Sequence, residues 1–473
     1  MNTSETPHSA GSVRDVAIAI VSLIALTATC YLSSTTGSQA WTILFLLSQA
    51  TVISIIIWQA CDPFADAAQW IGTTLRLPGS VRGATLDAIA SSMPELLSGI
   101  FFVVLAISAN QTAKDQLAAA TGEGYGATVA TCAGSAVYNM ILIPAICALV
   151  IAKYRPQRPT IDVEDKVISR DGLWFVGCEV LLLFFLFQPA MHWWMGVALL
   201  GAYLIYLIVL FRDAKLYQRR YAFIRQLLDN GQSNDQIAAQ ADSQNLKLSR
   251  DLIQKIRDLG ANRAEEDDQP PETAGVLFGF FDVPLSFKTA WIVIGVSTVI
   301  AAGACYWLVE VTQSTAHTLD VPLFFVAVIL AAAASSVPDT FLSVGAAMRG
   351  DDDGALSNAF GSNIFDICVC LSIPLLVGSF LNGWQPILLT QDGEPMVGLS
   401  GLRILLCSLT MVTLLIMWHN RQLTKQKAYI LIGLYGLFVA YAVAGSVGLT
   451  LFCLLYTSPS PRDATLSRMP SSA

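Results

Sequence analysis

The chain has 473 residues, 54% of them hydrophobic and only 13% charged, with a mean hydropathy of +0.57 and a formal net charge of −8. Soluble proteins carry about 25% charged residues, so this composition excludes a cytosolic enzyme, a disulfide-stapled secreted domain and a disordered chain. The acidic balance also argues against a nucleic-acid binder, which needs a basic surface. The apolar residues gather in runs of roughly 18–25, the length a helix needs to cross a bilayer. The chain therefore reads as an all-α polytopic membrane protein.

In chain order, the first half has apolar runs near 15–34, 41–61, 84–106, 125–152, 172–189 and 192–211. The 15–34 run reads as an extra N-terminal helix or a signal peptide, within an N-terminal segment 1–40; Arg14 flanks it and no small-x-small cleavage site follows. A polar segment, 212–287, comes next and is too charged for lipid. Its spacing predicts that the preceding span runs on as a helix to Asn230-Gly231, and that another helix starts near Ser249 and ends at Gly260. The acidic run Glu265-Glu266-Asp267-Asp268 reads as a solvated linker or a regulatory cation site. The second half has runs near 289–310, 321–347, 354–378, 400–418 and 428–455. Residues 456–473 change abruptly to a Ser- and Pro-rich composition, which reads as a non-native, adaptor-like tail.

Basic residues orient the spans. A cytoplasmic central segment puts Arg76, Arg82, Lys153, Arg155, Arg158, Lys166, Arg170, Arg349, Arg421, Lys425 and Lys427 on its own side. The opposite loops hold little beyond Lys114 and Arg403. Without the first run, each half (41–211 and 288–455) has five spans. An odd number makes the second half enter from the other side, so a repeat between the halves is inverted, a ten-helix core. The ten cysteines mostly lie inside apolar runs with no metal-ligand spacing, and with four histidines they read as small packing residues.

Such a repeat is present. Ala90-Ser91-Ser92-Met93-Pro94-Glu95 matches Ala334-Ser335-Ser336-Val337-Pro338-Asp339, and one span later Gly134-Ser135-Ala136-Val137-Tyr138-Asn139 matches Gly361-Ser362-Asn363-Ile364-Phe365-Asp366. Proline lacks an N–H, so Pro94 and Pro338 free the carbonyls of Ala90 and Ala334, and such backbone persists at membrane depth only where protein or a watery cavity satisfies it. Carboxylate, hydroxyl and carbonyl oxygens at one depth are hard ligands, suited to Ca²⁺, Na⁺ or K⁺. The candidate ligands are Glu95, Asp339 and Asp366 with Ser92, Ser336, Ser135, Asn139, Ser362 and Asn363; Gly134 and Gly361 are expected to let helices approach closely. A charge at the bilayer centre costs at least about 2.5–3.5 kcal/mol, so three acids there call for a cation. The competing reading, polar groups that merely glue helices together, fits the serines and asparagines better than the repeated Pro-acid pair.

At these motifs the chain resembles the cation/calcium exchanger superfamily, and within it the potassium-dependent sodium/calcium exchangers. The resemblance is carried by Cys61-Asp62, Gly83-Ala84-Thr85, Ser92-Met93-Pro94-Glu95, Gly134-Ser135-Ala136, Ser336-Val337-Pro338-Asp339-Thr340, Ser357-Asn358 and Gly361 to Asp366, and it extends over roughly 41–450. It implies two inverted five-helix repeats with ion sites between them. Glu95 and Asp339 are the implied Ca²⁺ and Na⁺ ligands, and Asp366 the residue associated with K⁺. It implies antiport of Ca²⁺ with K⁺ against Na⁺ by alternating access, with no cofactor, in a plasma membrane or else an organellar one. Exchange without K⁺, or coupled to protons, is the alternative. An intramembrane aspartyl protease would need its acids in a GxGD-like context, which is absent. Three departures from the family pattern stand out: Asp87 replaces an apolar residue and lines an entry or sits at the interface, Gly99 replaces a hydroxyl, and the connection from Ser108 to Gly124 is long.

Overall fold

The structure, a computed structural model, describes residues 8–75, 77, 83–109, 114–156, 159–163, 167–230, 232–243, 253, 271–349, 352–391 and 394–447. The predicted helix from Ser249 to Gly260, apart from Ile253, lies outside them. So do the acidic run at 265–268, several of the orienting bases (Arg76, Arg82, Arg158 and Lys166) and the tail.

Helix α1 (His8–Thr36) turns back at Gly37 onto α2 (Gln39–Thr74), and the pair is tied by Thr29 Oγ1 to Ser48 Oγ at 2.9 Å and Ser33 Oγ to Thr42 Oγ1 at 3.0 Å. The first half continues through α3 (Ala88–Ala109), α4 (Lys114–Val137), α5 (Ile143–Tyr154), α6 (Leu173–Leu186) and α7 (Trp193–Asp229). Helix α7 does run on past the apolar stretch, and it stops at Asn230 as its Asn-Gly signal predicts. A short α8 (Asn234–Ser243) follows in the central segment. The second half is α9 (Phe287–Leu319), a broken span made of α10 (Leu323–Val326), α11 (Ala332–Ser335) and α12 (Val337–Arg349), then α13 (Asp352–Phe365), α14 (Ser372–Leu381), α15 (Leu399–Trp418) and α16 (Lys425–Ser446). Among the described residues nine helices are long and apolar enough to cross a membrane, or ten if the bent pair Leu323–Ser335 and Val337–Met348 is one span. The 172–189 run becomes the 14-residue α6, preceded by a π-helical turn Val167–Gly172.

Wide π turns mark the two acidic motifs. Gly83–Asp87 and Ala327–Ala331 each end eight residues before the acid, Glu95 or Asp339, while Tyr138–Leu142 and Asp366–Cys370 lie at the second motif of each half. Such single turns bend a helix and present backbone and side chains out of register, which is why they recur at functional positions. The two prolines differ in effect. Pro94 sits inside an unbroken α3, whereas the chain bends by 42° at Ser336, just before Pro338.

Short antiparallel strands were not foreseen from the apolar runs. Strand β1 (Ile161–Asp162) pairs with β8 (Gln422–Leu423), and β2 (Ala190–Met191) with β5 (Ile387–Leu388). Helix α6 separates β1 from β2, so these straps lie on opposite faces of the bundle, and each joins a connection of one half to a connection of the other. Asp352 reinforces the first strap, accepting from the Asp162 N–H at 3.1 Å and pairing with Arg155. A third pair, β3 (Thr273–Val276) with β4 (Phe281–Pro284), forms a hairpin just before α9, and a fourth joins β6 (Thr390–Gln391) to β7 (Glu394–Pro395).

The structure corrects several sequence expectations. The connection from Ser108 to Gly124 is short, because α3 runs to Ala109 and α4 already begins at Lys114. Arg403 belongs to α15 rather than to a loop, and it is buried with its guanidinium over the Phe187 ring. Only one of the two motif glycines marks a close approach. A Cβ on Gly134 would stand 2.2 Å from the Val328 carbonyl oxygen, whereas one on Gly361 would meet nothing within 4 Å. The Gly99 departure also has a packing explanation: a Cβ there would stand 2.7 Å from Thr128 Cγ2, and Thr128 donates its hydroxyl to the Gly99 carbonyl at 3.1 Å. The cysteines behave as expected, since Cys61, Cys132, Cys147, Cys178, Cys305, Cys368 and Cys370 are buried free thiols.

The two glycines therefore separate by experiment. Gly134→Ala is expected to destabilise the protein by about 1–3 kcal/mol, the usual cost of overpacking. Gly361→Ala should unfold at the parent temperature or above it, because alanine is the better helix former by about 1 kcal/mol. Thermal unfolding of the two variants in detergent micelles checks both.

Candidate functional site: a buried carboxylate and hydroxyl network

Glu95 on α3, Asp339 on α12 and Asp366 at the end of α13 are fully buried, and so are Ser92, Ser135, Asn139, Ser336, Ser362 and Asn363. Helix breaks bring them together. The bend at Ser336 turns Asp339 inward, and the π turns at Tyr138–Leu142 and Asp366–Cys370 carry Asn139 and Asp366 to the same place.

Most of the resulting hydrogen bonds cross between the halves. Ser135 Oγ lies 3.2 Å from Glu95 Oε1 and 3.0 Å from Asp366 Oδ2; its single proton can serve only one of them at a time. Ser336 Oγ lies 2.9 Å from Ser135 Oγ and 3.5 Å from Glu95 Oε1. Asn139 Nδ2 donates to Asp339 Oδ2 at 3.3 Å, and Ser362 donates to Asp339 Oδ1 at 2.7 Å. Ser91 Oγ and Ser362 Oγ are 3.1 Å apart.

Donors are too few for the acceptors. Glu95 Oε2, Asp366 Oδ1, Asn139 Oδ1 and Asn363 Oδ1 are buried without a hydrogen-bond partner, as is the Ser92 hydroxyl. A buried polar group left unsatisfied costs about 1–3 kcal/mol, and a charged one more. An excess of acceptor oxygen is therefore a chemical property of this place, and hard cations satisfy oxygen acceptors. Among the described residues no three His, Cys, Asp or Glu side chains converge closely enough to hold an ion by themselves. The hydroxyl and amide oxygens would have to complete any coordination shell.

Seven of the nine sequence candidates join this hydrogen-bond network. Ser92 stands beside it with its hydroxyl unbonded. Asn363 turns its amide N–H to the Ala136 carbonyl at 3.2 Å, tying α13 to α4 and leaving Oδ1 free. Asp87 lies half-buried in the first π turn. Ser91 was missed, although its position four residues before Glu95 on a helix puts it on the acid's own face. Two thiols were also missed: Cys370 donates to the Ser92 carbonyl at 3.5 Å and Cys305 to the Pro94 carbonyl at 3.6 Å. No spacing rule in one sequence would have linked those residues, which are more than 200 positions from their partners.

Known proteins fit this picture. A family model described as sodium/calcium exchanger protein matches residues 49–212 and 289–444. Human sodium/potassium/calcium exchanger 5 is 26% identical over 399 residues, covering 76% of this chain and 74% of that relative. Chicken (Gallus gallus) sodium/potassium/calcium exchanger 2 is 27% identical over 164 residues, 35% of this chain, and the match spans only 23% of that relative. Among solved structures, an H⁺/Ca²⁺ exchanger, CAX, superposes with a TM-score of 0.53 over 94% of each chain at 12% identity, a likeness of fold alone. The family model covers both motif-bearing halves, 49–212 and 289–444, and the chain belongs to the sodium/calcium exchanger protein family.

Proposed function

We propose that this cation antiporter moves Ca²⁺ together with K⁺ against Na⁺ by alternating access. Glu95 and Asp339 form the central Ca²⁺/Na⁺ site and Asp366 the K⁺-linked position; Ser92, Ser135, Asn139, Ser336, Ser362 and Asn363 supply neutral oxygens. The observation that carries the reading is the set of orphaned acceptors, Glu95 Oε2, Asp366 Oδ1, Asn139 Oδ1 and Asn363 Oδ1, enclosed between the two halves. Three carboxylates total −3, which Ca²⁺ plus K⁺ balances. The names of the relatives, sodium/potassium/calcium exchangers, support the K⁺ assignment. In this reading 41–211 and 288–455 are the two repeats and 212–287 is a cytoplasmic loop, in a plasma membrane or else an organellar one.

The mechanism follows from electrostatics. An empty site holds charge in a low-dielectric interior, which is unfavourable without a partner. Ca²⁺ and Na⁺ compete for the same acids, so binding one set displaces the other, and either set neutralises the site and permits the conformational change. Ala60 and Cys61 of α2 and Ala301, Ala304 and Cys305 of α9 share one buried apolar cluster with Ala90, Met93 and Ala334, together with larger side chains such as Ile53, Ile57, Phe64 and Leu308. Helices α2 and α9 are joined to each other by Trp307 Nε1 donating to Gln49 Oε1 at 3.1 Å. We assign the movement to this pair, and the strap-tied remainder acts as the scaffold.

Two outcomes test the assignment, both read as sodium-gradient-driven ⁴⁵Ca²⁺ uptake in proteoliposomes. Glu95→Gln and Asp339→Asn are each expected to lower uptake roughly ten- to a hundredfold, the loss of one charged ligand contact; full exchange in either variant overturns the site. Asp366→Asn is expected to keep sodium-driven Ca²⁺ uptake and to lose its stimulation by K⁺. K⁺ stimulation that persists in Asp366→Asn overturns the K⁺ role, and uptake driven by a pH gradient in the parent favours proton coupling.

A further inference from the structure

The neighbours of Asn139 and Asp339 are bonded to each other as well. Asn139 Nδ2 donates to Asp339 Oδ2 at 3.3 Å, and the hydroxyls of Tyr138 and Thr340, one position before and one after, are 3.3 Å apart. Two adjacent rungs thus join the π turn Tyr138–Leu142 to the start of α12, across the two halves. Thr340 Oγ1 also lies 3.1 Å from the Ser336 carbonyl oxygen, which accepts the Thr340 N–H at 3.3 Å. Thr340 has one hydroxyl proton and a carbonyl can only accept. Both contacts therefore form at once when Thr340 donates to Ser336 and the Tyr138 hydroxyl donates to Thr340. Ser336 is where the span bends by 42° and turns Asp339 inward, so the outer rung grips the bend itself. The Tyr138 ring is held edge-on against Tyr435 of α16, with centroids 5.8 Å apart at 90°.

The repeat-related place has no such rung. The motif match that pairs Glu95 with Asp339 and Asn139 with Asp366 also pairs Leu96 with Thr340 and Phe365 with Tyr138. Phe365 makes the same kind of ring contact, edge-on to Tyr203 of α7 with centroids 5.6 Å apart at 80°, so what is missing there is the two hydroxyls. The span that carries Leu96 is also the unbent one, with Pro94 inside a continuous α3. In place of the bonded amide and acid, Asn139 and Asp339, it has two acids, Glu95 and Asp366, that share the Ser135 hydroxyl. Asp339 is thus braced through an amide and a held bend, whereas Glu95 and Asp366 have neither.

We propose that Tyr138 and Thr340 are positioning residues of the ion site: their hydroxyl pair sets the bend at Ser336 and, through it, the place of the Asp339 carboxylate for Ca²⁺. The proposal rests on reading the carboxylate network as the transported-ion site. A ligand already held in its binding position costs less to order when the ion arrives, so the rung contributes to Ca²⁺ affinity. It joins α12 to the π turn after α4, and neither belongs to the pair α2 and α9 to which the movement is assigned. Removing the rung therefore weakens binding and leaves turnover in place.

Calorimetric titration of Ca²⁺ into the detergent-purified full chain tests the rung, with sodium-driven ⁴⁵Ca²⁺ uptake in proteoliposomes measured alongside. Tyr138→Phe copies the residue at the matching position of the other half. It is expected to weaken Ca²⁺ binding about three- to fivefold, the lower part of the range for one hydrogen bond, because 3.3 Å is long for two hydroxyls. The Ca²⁺ concentration for half-maximal uptake should rise by the same factor, while the maximal rate stays at the parent value. Thr340→Val should weaken binding at least as much, and Thr340→Ser, which keeps the hydroxyl, should bind as the parent does. Adding Tyr138→Phe to Thr340→Val should cost nothing further, because the two residues act through one bond. Unchanged affinity in Tyr138→Phe overturns the proposal, and this variant stays readable if Thr340→Val fails to fold. Losses that multiply in the double variant, or a lower maximal rate at parent affinity, overturn it too. A parent that binds no Ca²⁺ overturns the ion-site reading and the rung's role with it, an outcome distinct from a parent that binds Ca²⁺ while Tyr138→Phe matches it.

Discussion

The structure depends on one electrostatic constraint: three carboxylates held in the interior of a membrane bundle with too few hydrogen-bond donors. Glu95, Asp339 and Asp366 are wholly buried, and the hydroxyls of Ser135, Ser336 and Ser362 and the amide of Asn139 are among the side chains that reach them by hydrogen bond. An isolated charge at this depth is costly, and in the proposed reading the missing partner arrives as a cation. Because the bonds Ser135–Asp366, Asn139–Asp339, Ser336–Glu95 and Ser91–Ser362 join opposite halves, the same constraint also holds the halves together. The site is a seam, and neither half contains it alone.

The helix irregularities follow from that demand. A regular helix satisfies its own backbone and presents its side chains at fixed intervals. Here the π turns before Glu95 and Asp339, and those at Asn139 and Asp366, shift the register so that polar groups from four segments meet. The backbone around the motifs is supported by unusual donors, the thiols of Cys305 and Cys370. The scaffold is closed on both faces by the β1–β8 and β2–β5 straps, each built from one strand of either half. Against it, α2 and α9 pack through a buried apolar cluster of both small and large side chains.

Much of this was legible in the sequence, for physical reasons that can be named. Most helices follow from apolar run length, and the meeting of Glu95, Asp339 and Asp366 in one buried network follows from the motif pairs repeated in both halves. Helix α7 ends at Asn230 as its local turn signal says. What the sequence hid is three-dimensional. Gly134 and Gly361 sit in matching motifs, yet only Gly134 is pressed against a neighbouring backbone, because close approach depends on what lies opposite. Gly99 read as a missing hydroxyl until Thr128 was seen to fill that place from the adjacent helix. The straps are two residues long, below any periodicity signal, and the stack of Trp58 on Phe341 joins positions 283 residues apart in a stretch where each aromatic reads as an ordinary apolar residue.

The central claim, that the acceptor-rich seam is a cation site shared by competing ions, is tested most directly by binding rather than flux. Calorimetric titration of Ca²⁺ into the detergent-purified protein should show binding that is weakened progressively by Na⁺ and not by the same concentration of choline, and that disappears in a Glu95→Gln, Asp339→Asn double variant which still unfolds cooperatively. Ca²⁺ binding that is indifferent to Na⁺, or that survives in the folded double variant, would place the ion elsewhere and contradict the account.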